Sequence, residues 1–397
     1  MKKQPKTLPY DFIPFIEGNQ YYYPWKTEDL PSHDKREEIY KSGTIHYTVT
    51  PKSPLVMELR KKPAHPSQYF VSGSALRGKI RSNVEILSGS YPEFVDKSEI
   101  DESSLKSLRL LNMKKETKLI DYTNAIFGYA NSNDDQNFAY KSRVIFSHLD
   151  VIGNLAYDEK SFILMSPAKH DKYINKVGLK KVGYKYYPIT RTHNYKPKST
   201  KNNNEIKSNK FVFQDASKQQ GFYFKGEIKF HNLQDDEIGL LLLALKIDLL
   251  LLEDNLPPLF EAIGGVKGYG YGKVSIDIEK LEIENDGVSF NELLDCVQEI
   301  KTYKSFDDLY PFIQSFVDAV GGLSFFDHVH IKTYVNSKHF DNIDKLEFKE
   351  FNEKDQVVKQ DQAQKMPSEV DKIALEKLMN KYNKLRVSSG KEKYRRK

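Results

Sequence analysis

The chain has 397 residues, with 61 Lys and Arg against 55 Asp and Glu, a formal net charge of +6 and one cysteine, Cys296. That length can bury one large core or two ordinary ones, and a single cysteine excludes an internal disulfide or a thiolate-rich zinc site, which points to the cytoplasm. A pI near 8.8 permits a polyanionic partner without demanding one, because what matters is how the charges cluster.

Residues 1–41 are punctuated by Pro9, Pro14, Pro24 and Pro31 and read as an N-terminal arm. The opening MKKQPKTLPYDF has no apolar run behind its lysines, so it is not a secretory signal. A core follows over residues 42–284, with an insertion at about 152–220. Its first strand is Gly43 to Thr50, where Ile45, Tyr47 and Val49 alternate with polar residues. The segment Pro51 to Tyr69 reads as a loop, basic from Arg60 to His65.

Phe70 to Leu87 passes from an apolar pair through Ser72, Gly73 and Ser74 into a helix with Leu76, Ile80, Val84 and Leu87 on one face. Ser72 or Ser74 can cap it, and free backbone N–H groups beside Arg77, Lys79 and Arg81 make a seat for phosphate. An ordinary amphipathic helix with a solvated basic face has the same pattern, so both readings stand. Residues 88–122 are mixed, with Leu105, Leu108 and Leu111 in no assignable element, and Arg143 to Val151 is a second strand. Asn154 to Gly221 is polar and rich in Tyr and Lys, and its low-complexity part, Lys196 to Lys210, reads as a loop.

Phe222 to Phe230 is a third strand, and Asn232 or Asp235 can cap a helix running from Ile238 to Leu252 until Pro257 and Pro258 stop it. That apolar run contains Lys246 and Asp248 and is too short to cross a bilayer, so no membrane partner is expected. Ile263 to Val274, IGGVKGYGYGKV, combines glycines with Lys267, Lys273, Tyr269 and Tyr271, a combination suited to a nucleic-acid backbone. It also fits a plain glycine-rich turn before an edge strand, here Lys273 to Ile278. The sequence strand, helix, strand, strand, helix, strand is the split βαβ order.

Residues 285–350 form a C-terminal extension with helices expected at Asn291 to Tyr303 and Phe306 to Val320, and a strand at His328 to Val335. Residues 351–397 read as a linker and basic tail. The ten histidines include no HExxH pair, and His328 and His330 sharing a strand face are a surface coincidence, so no metal and no cofactor is assigned.

Three stretches taken in order resemble the RAMP superfamily, the RNA-binding proteins of CRISPR systems. They are VSGSALRGKIR at the first helix, Asn124 to Gly128 followed by Arg143 to Phe146, and GGVKGYGYGK. Pro9 to Phe15, Ser166 to Lys169 and Gly183 to Pro188 are similar to a branch associated with type III loci, and the resemblance spans roughly residues 8 to 280. It implies an α+β fold: a ferredoxin-like/RRM-like (split βαβ) RAMP core with long insertions and a helical, basic C-terminal extension. The insertion would be a finger lying across RNA.

The function implied is that of an RNA-binding subunit of a type III CRISPR effector complex. Such a subunit grips guide RNA and helps form the backbone on which complementary target RNA pairs, beside other effector subunits. Ser72, Ser74, Arg77, Lys79, Arg81, Lys267, Tyr269, Tyr271 and Lys273 are the residues expected on RNA. Target-cleaving relatives use an aspartate between the first strand and the first helix. Here Pro51 to Tyr69 offers only Glu58 and His65, with Asp158, His170 and Asp171 as distant candidates. The plainer reading is binding without cutting. The alternative is a RAMP endoribonuclease that processes repeat RNA or cleaves target RNA, although that processing class places its glycine loop near the C-terminus.

Overall fold

The computed structural model describes residues 11–14, 25–37, 39–65, 67–90, 119–131, 138–155, 157–165, 183–189, 205–213, 221–250, 259–267, 270–284, 300–322 and 328–338. The fold is α+β and its strands pair antiparallel. Strand β1 (Lys41–Pro51) leads to helix α1 (Ser74–Ser88), the short helix α2 (Tyr122–Phe127) and strand β2 (Leu149–Gly153). Strand β3 (Phe222–Leu233), helix α3 (Asp235–Leu245) and strand β4 (Lys273–Glu284) follow. Helices α4 (Phe306–Ala319) and α5 (Val329–Asn336) come last.

The main sheet runs Glu261–Ala262, β4, β1, β3, β2, Tyr69–Val71, Leu59–Lys61. Period-2 alternation fixes its register, because a slip of one residue would turn every apolar side chain to the wrong face. Val49 faces Phe224 across β1 and β3 and faces Ile276 across β1 and β4, while Ile45 meets Ile228 and Leu281. These residues are buried with Leu76, Ile80, Val84 and Leu87 of α1 and Ile238, Leu241, Leu242 and Leu245 of α3. Each such side chain contributes about 1.5–3 kcal/mol on leaving water. Helix α4 lies close to α3 because Gly239 has no side chain: a Cβ there would sit 2.0 Å from Phe312 O.

The opposite face is polar and paired. His46 sits between Glu282 (Nε2 to Oε2, 2.7 Å) and Glu227 (Nδ1 to Oε1, 3.2 Å), and Lys225 meets Glu279 at 2.7 Å. The ion pair of Arg143 and Glu237 lies wholly inside: Arg143 also donates to Asn232 O (2.6 Å) and Ala125 O (2.9 Å), tying α2 to the start of α3.

Several expectations are corrected. Gly73, not Ser72 or Ser74, stands at the α1 N-cap, because the chain there presses on Ser147 and a Cβ would lie 2.0 Å from its carbonyl oxygen. Gln234 takes the α3 N-cap in place of Asn232 or Asp235, and its N–H donates to Glu237 Oε2 at 2.9 Å. The helix ends at Leu245 and a 3-10 turn, Ile247–Leu250, continues it.

The expected loop from Pro51 to Tyr69 contains strands Leu55–Met57 and Leu59–Lys61. Within the insertion, Tyr157–Met165 and Glu205–Phe213 pair along their whole length and Leu55–Met57 joins them, so residues 205–210 are strand, not loop. Strand Asp11–Pro14 of the arm pairs with Gly183–Tyr186. Ile300–Tyr303 is a strand on β4, where a helix was expected. Residues 329–336 are helix, not strand, since Ile331, Tyr334 and Val335 follow the helical spacing that packs against the core. The leucines at 105, 108 and 111, residues 291–299, Cys296 and the basic tail lie outside the described residues.

Candidate nucleic-acid interface

The glycine-rich loop leaves strand Glu261–Ala262 and returns as β4, and its geometry is set by the chain's own segment 52–57. Gly265 N–H donates to Val56 O and Gly272 N–H to Pro54 O, both at 2.8 Å. Ser53 Oγ donates to Gly270 O at 3.1 Å and accepts from Lys273 N–H at 3.0 Å. Gly264 and Gly272 have φ of +75° and +82°, and a Cβ would lie 2.5 Å from Val56 O or 2.0 Å from Ile263 O. The glycines therefore serve a close approach between two stretches of this chain, where an approach to nucleic acid was expected. Val266 adopts φ +58°, a costly conformation for a β-branched residue and of the kind found at binding sites.

The structure divides the nine residues expected on RNA. Ser72 and Ser74 lie at the α1 entrance with their hydroxyls 2.8 Å apart. Arg77 is half-buried, donates to Phe127 O at 3.1 Å and sits 5.6 Å over the Phe127 ring. Lys79 Nζ lies 3.2 Å from Glu261 Oε2, and desolvation pushes its ammonium down to about 8. Lys267, half-buried, donates to Gly264 O at 2.8 Å. None of these five is fully buried, and Arg77 and Lys79 leave α1 towards different partners, Phe127 and Glu261.

Three others point inward and are corrected. Arg81 is buried, its guanidinium 5.9 Å over Phe127, and desolvation pulls it below the usual range. Tyr271 is 1% exposed and packs in the interior. Lys273 is fully buried, donates to Pro188 O at 3.2 Å, and is pushed down to about 7 by desolvation and by Lys267 and Lys79. Tyr269 lies outside the described residues.

Glu261 joins the two signature stretches, and the sequence reading missed it. It receives Asn83 Nδ2 at 3.0 Å, Lys79 at 3.2 Å and the Lys338 ammonium. A signal existed: Glu261 interrupts the apolar run Phe260 to Ile263, and a carboxylate in such a run needs a partner. Lys338 follows α5, where Phe260 N–H donates to Lys338 O and Ile189 N–H to Ser337 O, at 2.8 and 2.9 Å.

Of the residues considered for scission, Glu58 is exposed and accepts from Arg60 through both oxygens (3.1 and 3.0 Å). His65 is exposed in the turn between Leu59–Lys61 and Tyr69–Val71, and Asp158 is exposed on strand Tyr157–Met165. His170 and Asp171 lie outside the described residues. His328 and His330 stand at the start of α5, not on a strand face as expected, with ring centroids 5.8 Å apart; His330 is buried and driven down to about 3 by desolvation and by His328. Among the described residues no group of three His, Cys, Asp or Glu could hold a metal, and no helix is long and apolar enough to cross a membrane.

Residues 50–275, more than half of the chain, match the RAMP superfamily, and the match begins at the end of β1 and ends in β4. The chain belongs to the RAMP superfamily. None of the curated proteins compared matches it. Solved structures similar to this RAMP protein include Csc2 of Thermofilum pendens, at 14% identity and TM-score 0.34, over 77% of this chain and 93% of that one. The Csm3-Csm4 subcomplex of a type III-A CRISPR-Cas interference complex is 14% identical with TM-score 0.31, over 70% of this chain and 97% of that one. A type III-B Cmr-beta complex bound to cognate target RNA is 10% identical with TM-score 0.30, over 61% of each chain.

Proposed function

We propose that this RAMP protein is an RNA-binding subunit of a type III CRISPR effector complex. It grips guide RNA along the rim between the α1 entrance and the glycine-rich loop, and helps form the backbone on which complementary target RNA pairs, beside other effector subunits. The observation that carries this reading is the Lys79–Glu261 contact at 3.2 Å, which packs the helix of the first signature stretch against the strand leading into the second although 182 positions separate them. Ser72, Ser74, Arg77, Lys79 and Lys267 supply hydroxyls and charge, and the strained Val266 backbone lies next to Lys267 in the loop. The order β4, β1, β3, β2 with α1 and α3 on one face supports a ferredoxin-like, RRM-like core.

Gripping without cutting is the reading favoured for this surface. Scission by general base requires a carboxylate or imidazole held against the attacking 2′-hydroxyl. Glu58 is instead engaged by Arg60, and His65 stands in an exposed basic turn beside Lys61 and Lys62. The test is RNA binding by an Arg77→Ala variant at several salt concentrations. Loss of one phosphate contact should weaken binding evenly across RNA sequences and lower the salt slope by about one. Unchanged affinity and slope would remove Arg77 from the interface.

A further inference from the structure

Residues 31–37 form a strap near the end of β3, and one side chain holds most of it. Asn232 Nδ2 donates to Ser32 O and to Lys35 O, both at 2.8 Å, and its Oδ1 accepts from Glu37 N–H at 3.2 Å. Its backbone takes φ +51°, a left-handed conformation that asparagine tolerates better than most residues. The same residue's carbonyl accepts from Arg143 at 2.6 Å, so the anchor of the strap is fastened to the buried Arg143–Glu237 pair. Tyr140 adds a bond from its hydroxyl to Pro31 O at 2.8 Å, Glu37 Oε1 accepts from Ser32 N–H at 3.0 Å, and Arg36 reaches Glu284 of β4.

One member of the strap carries an imidazole. His33 lies against Tyr140 with ring centroids 4.7 Å apart, bonded to the Lys141 backbone, and its Nε2 is buried without a hydrogen-bond partner. A proton added at that nitrogen finds no acceptor. The charged groups facing the ring are Arg143, His231 and Lys141, and His231 has its Nδ1 3.3 Å from Ser42 Oγ and its own Nε2 buried and unpartnered. The acids in the neighbourhood are engaged or turned away: Glu237 holds Arg143, Glu37 closes the strap on Ser32, and Asp34 is exposed. Burial and the three positive neighbours therefore hold the His33 proton affinity below the ordinary 6.5.

We propose that residues 31–37 are an acid-released strap, docked on Asn232 while His33 is neutral and let go when its imidazole takes up a proton. Docking favours the neutral ring and release favours the charged one. The docked strap thus keeps its full stability above 6.5 and loses it progressively as pH falls below that value. For a single imidazole the released population rises by up to about tenfold between about pH 7.5 and about pH 5.5. The strap joins strand Trp25–Lys26, which pairs with Leu119–Ile120, to β1, so its release loosens the path between the arm and the sheet. The inference is independent of RNA binding.

The test is hydrogen exchange of the full-length protein at these two pH values, read by mass spectrometry on the peptide spanning 31–37 and corrected for the intrinsic pH dependence of exchange. In the wild-type protein, exchange of the strap should quicken several-fold in acid while α1 keeps its protection. His33→Gln should give the same strap protection at both pH values, and Asn232→Ala should expose the strap at both. Equal protection of the wild-type strap at the two values would overturn the proposal without any variant. A matching loss of protection in α1 would overturn it as well, since the acid response would then be general unfolding. A pH response that survives in His33→Gln, or a strap that stays protected in Asn232→Ala, would remove the sensor or the anchor and overturn it too.

Discussion

The polar face of the sheet and the base of the glycine-rich loop are built from the same kinds of charged residue and treat them in opposite ways. On the sheet, Lys225 meets Glu279, Lys246 meets Asp277, Lys280 meets Glu282, and His46 has a glutamate on each side. These pairs stand beside water, where opening one exposes two groups that water can solvate. At the loop, Glu261 meets Lys79 and the buried Lys338, and Lys273 is buried against Pro188 O. The overall charge of +6 describes either arrangement equally well. What sets the loop base apart is that Lys273 and Lys338 are buried where solvent cannot reach them.

The sharpest way to break this contrast is to remove the shared carboxylate. Glu261→Ala leaves Lys338 buried beside Lys79 without its carboxylate and is expected to cost about 3–5 kcal/mol, measured by urea unfolding. A loss under 1 kcal/mol would mean that the loop base is solvated like the sheet. A smaller effect lies in the pH dependence. Lys79 and Lys273 have folded values of about 8 and 7, below those of the unfolded chain, which therefore holds more protons over this range. Their contribution makes stability rise with pH from about 7 towards 10, and Lys273→Met should flatten the rise.

Glu282 on the sheet behaves in the reverse sense. Its carboxyl is held low by the Lys280 hydrogen bond and by His46, against the opposing effect of burial, so its contribution is lost as pH falls below the ordinary carboxylate range. The smallest effect belongs to an exposed pair: Lys225→Ala should change stability by about 1 kcal/mol or less and leave RNA affinity unchanged. A large loss of RNA affinity would move the interface onto the sheet.

The main strands and helices were legible because their patterns are local. Alternation at Ile45, Tyr47 and Val49 marked β1, and Leu76, Ile80, Val84 and Leu87 marked α1. The RAMP signatures also lay in short runs. What could not be read is long-range pairing. Strand Glu205–Phe213 sits in a run of lysines and asparagines because it pairs with Tyr157–Met165, whose partnership no local window contains. Tyr271 and Lys273 look like RNA ligands within GYGYGK, yet the turn at Gly272 sends both inward. Glu261 acquires its role only when Asn83, Lys79 and Lys338 converge on it from distant parts of the chain.

The hydrogen bonds that clasp the glycine-rich loop also set an order in time. Ser53 is 217 positions from Gly270 and 220 from Lys273, so the clasp closes only after most of the chain has been made. At about 5–20 residues per second, that interval is roughly ten to forty seconds of synthesis. Through it the carbonyls of Pro54 and Val56 wait for Gly272 and Gly265. Of the two halves of the proposed RNA-binding rim, the helix entrance is born early and the loop late, so a nascent chain displays half a binding surface long before it possesses the whole.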